Sequence, residues 1–152
     1  MSYYIGCDLG GTNIKAGLVD LENGQVLYSD SCPTDAHQGH QAVMTRMADF
    51  LQELISDCGV ERTKIAGLGV SAPGVLNLSE GKTRFLPNLP GQWRDVPLAG
   101  TLSKALDLPV ALLNDVRAIT YGEFQYGAGR DVERLACFAI GTGIGGGLVI
   151  NR

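Results

Sequence analysis

Tyr3-Tyr4-Ile5-Gly6-Cys7-Asp8-Leu9-Gly10-Gly11-Thr12-Asn13-Ile14-Lys15 is the stretch on which the reading of this chain turns. Ile5, Cys7 and Leu9 alternate with Gly6, Asp8 and Gly10, the period of a strand with one apolar face. Asp8 then projects from the other face, just before a glycine turn. Gly10-Gly11 permits positive φ and leaves main-chain N–H groups bare, and Thr12 adds a hydroxyl. A second strand follows at once, with Ile14, Ala16 and Leu18 on one face and Lys15, Gly17 and Val19 on the other. A carboxylate, a glycine hairpin and a hydroxyl together suit a phosphate and its metal ion. The plainer alternative is a tight hairpin whose aspartate makes a local turn bond.

The 152 residues suffice for one domain with a real core, and 45% hydrophobic with 18% charged is a globular balance. A net charge of −4 gives no basic tail or face for nucleic acid or membrane. No apolar run approaches a membrane span and no leader is evident, so a cytoplasmic protein is expected. Cys7, Cys32, Cys58 and Cys137 are far apart and form no C-x-x-C pair; they read as small core residues, not staples or zinc ligands. The 21 glycines are the anomaly. They follow apolar runs, as ligand sites built from backbone require.

Outward from the opening hairpin, Glu22-Asn23-Gly24-Gln25 reads as a turn into a third strand, Val26 to Asp30. From Gly39 to Cys58, Val43, Met44, Met47, Phe50, Leu51, Leu54 and Ile55 recur at helical spacing, with Gly59 as the stop. Lys64 to Ser71 is a buried strand, parallel to the first because a helix precedes it. It runs into Ser71-Ala72-Pro73-Gly74 and a long polar loop, Leu76 to Trp93, held in shape by prolines and the sole tryptophan or else a plain surface loop with Trp93 tucked inward. A helix from Leu98 to Leu106 leads to a strand, Pro109 to Leu113, ending in Asn114-Asp115. Ligands collect at the carboxyl ends of strands in open α/β sheets, so this pair is well placed, one residue capping the next helix and the other facing a ligand. That helix carries Ile119, Gly122, Glu123 and Tyr126 on one face. Leu135 to Ile140 is apolar on both faces and reads as a central strand. Gly141-Thr142-Gly143-Ile144-Gly145-Gly146-Gly147 and a strand Leu148-Val149-Ile150 repeat the strand–glycine–strand pattern of the opening. Stopping on a strand, the chain reads as the front part of something longer.

Gly141-x-Gly143-x-x-Gly146 matches the dinucleotide fingerprint in form only, since a strand and not a helix follows it, and there is no P-loop. Two glycine–threonine hairpins and an aspartate after a third strand remain. In order and in register, Asp8-x-Gly10-Gly11-Thr12-x-x-Lys15, Ala72-Pro73-Gly74, Asn88-Leu89-Pro90-Gly91-x-Trp93, Asn114-Asp115 and Ile140-Gly141-Thr142-Gly143-Ile144-Gly145-Gly146-Gly147 resemble the ROK family of repressors, open reading frames and sugar kinases. The Asn88 to Trp93 stretch is most similar to the bacterial glucokinases of that family.

The resemblance implies an α/β fold with a ribonuclease H-like (actin-like ATPase) mixed sheet flanked by helices. Residues 1–118 would form that domain, and 119–152 a linker helix and the opening hairpin of a second domain otherwise absent. It implies ATP-dependent phosphorylation of a hexose hydroxyl, with this chain as the N-terminal part and inactive alone. Asp8, Gly10, Gly11, Thr12 and Lys15 would form the first phosphate loop, with Asp8 near Mg2+ through water. Gly141, Thr142, Gly143 and Gly145 would form the second. Gly74, Asn88, Asn114 and Asp115 would hold sugar hydroxyls, and Asp115 would be the catalytic base. The partners implied are a hexose and ATP, without nucleic acid or membrane; a homodimer is compatible with family interfaces that lie mostly outside this stretch. The family's structural zinc site, the Glu and His completing its sugar pocket and its adenine-binding segment have no counterpart in these residues. The alternative is the sugar-sensing domain of a ROK-type regulator without kinase activity, disfavoured because no DNA-binding helix-turn-helix precedes Tyr3.

Overall fold

The computed structural model describes residues 2–141 and 143–150. The chain opens with β1 (Tyr3–Leu9), β2 (Asn13–Asp20) and β3 (Gln25–Pro33), a meander, and continues through α1 (His40–Asp57) to β4 (Ile65–Ala72). A short hairpin follows, β5 (Val75–Asn77) and β6 (Lys82–Phe85). Then come α2 (Leu98–Leu106), β7 (Val110–Asn114), α3 (Asp115–Tyr126) and a last hairpin, β8 (Arg134–Ile140) and β9 (Ile144–Ile150). Five strands form one mixed sheet in the order β3-β2-β1-β4-β7. β1, β4 and β7 are parallel, and β2 runs antiparallel to both its neighbours.

The expected alternation sets the two faces. Ile5, Cys7, Leu9, Ile14, Ala16, Leu18, Leu68, Val70, Ala72 and Leu112 are buried on one side. α1 covers that side with Val43, Met47, Leu51 and Leu54, and α2 adds Leu98, Leu102 and Leu106. The two helices touch, and the Gln52 amide donates to the Ala105 carbonyl at 3.2 Å. Gly39 and Cys58 bound α1 as its caps, and Gly59 follows at φ 72°. On the other side small residues lie in register across the whole sheet, Ser29–Gly17–Gly6–Gly69–Ala111. This row floors an open groove of about 1010 Å³, with Asp8, Lys15 and Ser71 at one end and Ala118, Tyr121 and Gly122 of α3 along its wall.

The cysteines are free. Burial pushes the Cys7 thiol far above the ordinary thiol range, and Asp8 and Cys32 push the same way, so it stays a neutral, inert core group. Among the described residues no helix is long and apolar enough to cross a membrane.

Two readings change. The polar stretch from Leu76 to Trp93 is not all loop, because Gly81 (φ 64°) turns β5 back on β6. Short polar strands such as Lys82-Thr83-Arg84-Phe85 carry too little apolar alternation to announce themselves. β8 is not central: among the described residues it pairs with β9 alone, and Phe138 (74% exposed) and Ile140 (83%) face outward. An apolar pattern does not tell a strand buried on both sides from one whose second face is uncovered. In α3 the buried residues are Thr120 and Phe124, while Ile119 is half exposed.

Leu51, completely buried between α1 and the sheet, tests the packing. Leu51→Ala is expected to lower stability by about 2–5 kcal/mol, read as a fall in the urea midpoint with an unchanged slope.

Candidate active site

Matched parallel register brings the sequence-selected residues to one end of the sheet. Asp8 pairs with Ser71 of β4, and Ser71 with Leu113 of β7. Asp8 and Ser71 are linked directly, the serine hydroxyl donating to the Asp8 carboxylate at 2.5 Å. The sequence places Ser71 at the end of a strand and the start of a loop, with no site role. Its signal was its place at the end of a parallel strand level with Asp8. Lys15 lies across from Asp8 on β2, and among the described residues it makes no ion pair.

The hairpin between β1 and β2 is closed by Gly10 N–H donating to the Asn13 carbonyl at 3.1 Å. Gly11, Thr12 and Asn13 are exposed. The N–H groups of Gly11 and Thr12 have no acceptor among the described residues, as a main-chain anion cradle requires. A Cβ at Gly10 would sit 2.7 Å from the Asn13 carbonyl, and one at Gly11 3.3 Å from the carbonyl of Asn88. The first hairpin therefore rests against the Asn88 loop.

Main-chain hydrogen bonds tie that loop together, and Trp93 is tucked inward (1% exposed). Leu86 N–H donates to the Gln92 carbonyl and Gln92 N–H to Leu89. The wholly buried Thr83 donates through its hydroxyl to the Trp93 carbonyl and accepts from Val96 N–H. Trp93 meets the His40 ring edge-on at 6.1 Å, and its buried Nε1 has no partner among the described residues.

Gly74 and the Asn114-Asp115 pair meet. Asn114 Nδ2 donates to the Gly74 carbonyl at 3.1 Å, and its Oδ1 caps α3 by accepting from Arg117 N–H at 3.2 Å. Capping thus falls to Asn114. Asp115 stands in the first turn, where one carboxylate oxygen accepts from Val116 N–H at 2.9 Å. β1 and β7 lie two strand spacings apart, about 10 Å, with Asp8 at the end of one and the start of α3 following the other.

The second hairpin packs on α3. A side chain at Gly145 would overlap Val116, and one at Gly147 would overlap Thr120, so β9 lies against the turn that carries Asp115. Gly141 and Gly143 have open space around them: a Cβ on either would meet nothing within 4 Å. Thr142 lies outside the described residues. The structure thus joins the first hairpin to the Asn88 loop, Gly74 to Asn114, and β9 to the start of α3. It shows no contact of Gly141 or Gly143 with the first hairpin.

Among the described residues no cluster of three metal-ligating side chains is present. A lone carboxylate, Asp8, beside a phosphate cradle fits magnesium, which keeps most of its waters and takes few protein ligands.

The ROK family profile matches residues 4–152. The glucokinase of Thermotoga maritima is 39% identical over 97% of this chain and 44% of its own length. Among solved structures, a ROK hexokinase from Thermus thermophilus superposes with TM-score 0.85 at 33% identity, covering 98% of this chain and 47% of that one. A ROK family glucokinase from Streptomyces griseus, in complex with glucose and AMPPNP, gives 0.86 at 30% identity, covering 99% and 45%. The chain spans about half the length of the relatives it matches.

Gly74 holds φ at 85°, and a Cβ there would overlap the Phe85 carbonyl. Gly74→Ala is expected to cost about 1–3 kcal/mol in backbone strain alone, seen as a drop in melting temperature. Gly100→Ala, in α2 with open space around it, should instead stabilise by about 0.5–1 kcal/mol.

Proposed function

The chain belongs to the ROK family, and from that premise we propose that it is the N-terminal part of an ATP-dependent hexose kinase of the glucokinase type, working in the cytoplasm. The observation that carries this reading is the assembly at the carboxyl ends of β1, β4 and β7. There the β1–β2 hairpin rests against the Asn88 loop, Ser71 bonds Asp8 level with Leu113 of β7, and Asn114, the residue before Asp115, bonds Gly74. The fold supports it, being the ribonuclease H-like mixed sheet shared with ROK kinases.

In this reading Gly10, Gly11, Thr12 and Lys15 receive the phosphates of ATP through N–H groups, a hydroxyl and an ammonium. Gly141, Thr142, Gly143 and Gly145 receive them from the other hairpin. Asp8 would hold Mg2+ through water, and that ion, when bound, offsets phosphate charge. Asn88, Gly74 and Asn114 orient sugar hydroxyls. Asn114 does so while its amide is anchored to Gly74, so the residue that reads the sugar also sets the spacing between two loops. Among the described residues Asp115 has one carboxylate oxygen without a hydrogen bond, and it takes the proton of the attacking hydroxyl as the sugar oxygen bonds to phosphorus and the bridging oxygen of ADP leaves. Residues 1–118 would form the first lobe, with the rest of α3 from residue 119 as a linker and the β8–β9 hairpin opening a second. Because the chain spans under half the length of these kinases, activity is expected of the full-length product and not of this stretch alone.

A coupled ADP-release assay over a hexose panel, on the full-length product carrying this chain, tests the reading. Sugar-dependent ADP release is expected. Asp115→Asn should cut turnover by about 10²–10⁴-fold while sugar affinity stays within a few-fold. Sugar binding with no ADP release in the unmodified protein would favour a sensing role, and full turnover in Asp115→Asn would remove that residue as the base.

A further inference from the structure

Thr34 lies outside every motif discussed above. It follows β3 directly and is completely buried. Its hydroxyl donates to the Gly10 carbonyl at 2.7 Å, and its N–H donates to the Thr12 carbonyl at 2.8 Å. One residue therefore draws two carbonyls of the first glycine hairpin into the protein. Its own carbonyl accepts from Arg46 Nη1 of α1 at 3.0 Å. Arg46 is steadied in turn by the Gln38 side-chain oxygen at 2.9 Å and by Asp35 at 3.4 Å.

This geometry has a directional consequence. A trans peptide sets its C=O and N–H antiparallel. Turning the Gly10 carbonyl inward onto Thr34 turns the N–H of Gly11 outward, and that N–H has no acceptor among the described residues. Two glycines in succession have no intrinsic preference that would hold this orientation. Without the hydroxyl, the Gly10–Gly11 peptide is free to flip and present a carbonyl to an anion instead of an N–H.

We propose that Thr34, braced by Arg46, is a positioning residue that orients the Gly10–Gly11 peptide so that the first hairpin presents an N–H to a phosphate. The identity of that phosphate as part of ATP rests on the kinase reading above; the orientation does not.

The test combines amide NMR with kinetics, on Thr34→Val, Thr34→Ser and Arg46→Gln. MgATP added to the 15N-labelled protein should shift the Gly11 amide in the unmodified chain and in Thr34→Ser, and leave it nearly unmoved in Thr34→Val. In the full-length product, Thr34→Val should raise KM for ATP by about tenfold or more, the consequence of a partly buried carbonyl losing its donor, with KM for the hexose little changed. Thr34→Ser should restore ATP use. If Thr34→Val does not fold, Arg46→Gln, altered at a partly exposed side chain, should move KM for ATP the same way to a smaller degree. A Gly11 amide indifferent to MgATP in the unmodified protein overturns the proposal. So do ATP kinetics unchanged in Thr34→Val, or equal losses for ATP and hexose that serine does not restore. A Gly11 response without sugar-dependent ADP release would leave the positioning role standing and remove the kinase reading.

Discussion

Level parallel pairing of β1, β4 and β7 is the constraint on which the rest of the molecule depends. Gly6 pairs with Gly69 and Gly69 with Ala111, so Asp8, Ser71 and Leu113 fall in one row. The hydrophobic face enforces this. Ile5, Cys7 and Leu9 share a buried layer with Leu68, Val70, Ala72 and Leu112, and a slip of one residue would turn each set toward the groove. Because the strands are parallel, the segments leaving them emerge at the same end. Core packing beneath the sheet thereby sets the distances between groups above it that never touch α1 or α2.

The loops are then tied to each other by main-chain polar atoms. Asn114 bonds Gly74, Thr83 bonds Trp93 and Val96, and Gly11 leaves just enough room for the Asn88 carbonyl. The Asn88 loop holds three non-glycine residues at positive φ, Gln92, Trp93 and Asp95, each costing about 1–3 kcal/mol. Burying an indole removes about 150–250 Å² from water, worth about 4–6 kcal/mol at about 25 cal/mol per Å². The two quantities are of the same order, so Trp93 functions as the anchor that makes a strained, fixed loop sustainable. Its reward is a defined position for Asn88 beside the first hairpin.

Much of this was legible in the residues. Strict alternation in β1 and β2 and the heptad-like spacing from Val43 to Ile55 gave faces as well as elements, and Gly59 marked the end of α1. The helix from Leu98 to Leu106 falls on its expected bounds. Illegible parts share a cause: they depend on contacts between segments remote in sequence. The β5–β6 hairpin is stabilised by Thr83 reaching residues 93 and 96, and no local pattern encodes that. Ser71 gained meaning only through its register with Asp8, 63 positions earlier. The exposed side of β8 shows the converse limit, since Phe138 and Ile140 are apolar whether or not anything covers them.

The glycines carry the final step. Their abundance suggested ligand sites built from backbone, yet many are small because the protein itself occupies the space. Gly24 backs onto the Tyr126 ring, Gly17 onto the Tyr28 carbonyl, and Gly145 and Gly147 onto α3. Gly145 therefore has a packing reason to be glycine, whatever it also does for a phosphate. Gly141 and Gly143 differ: no protein atom crowds them. Glycine costs conformational entropy on folding, so at such positions the missing side chain serves either mobility of the tip or approach by a group from outside. The first hairpin resolves the same choice differently, with Thr34 locking its peptides from behind. The two hairpins thus differ: protein atoms hold the peptides of the first from behind, whereas Gly141 and Gly143 of the second have open space around them.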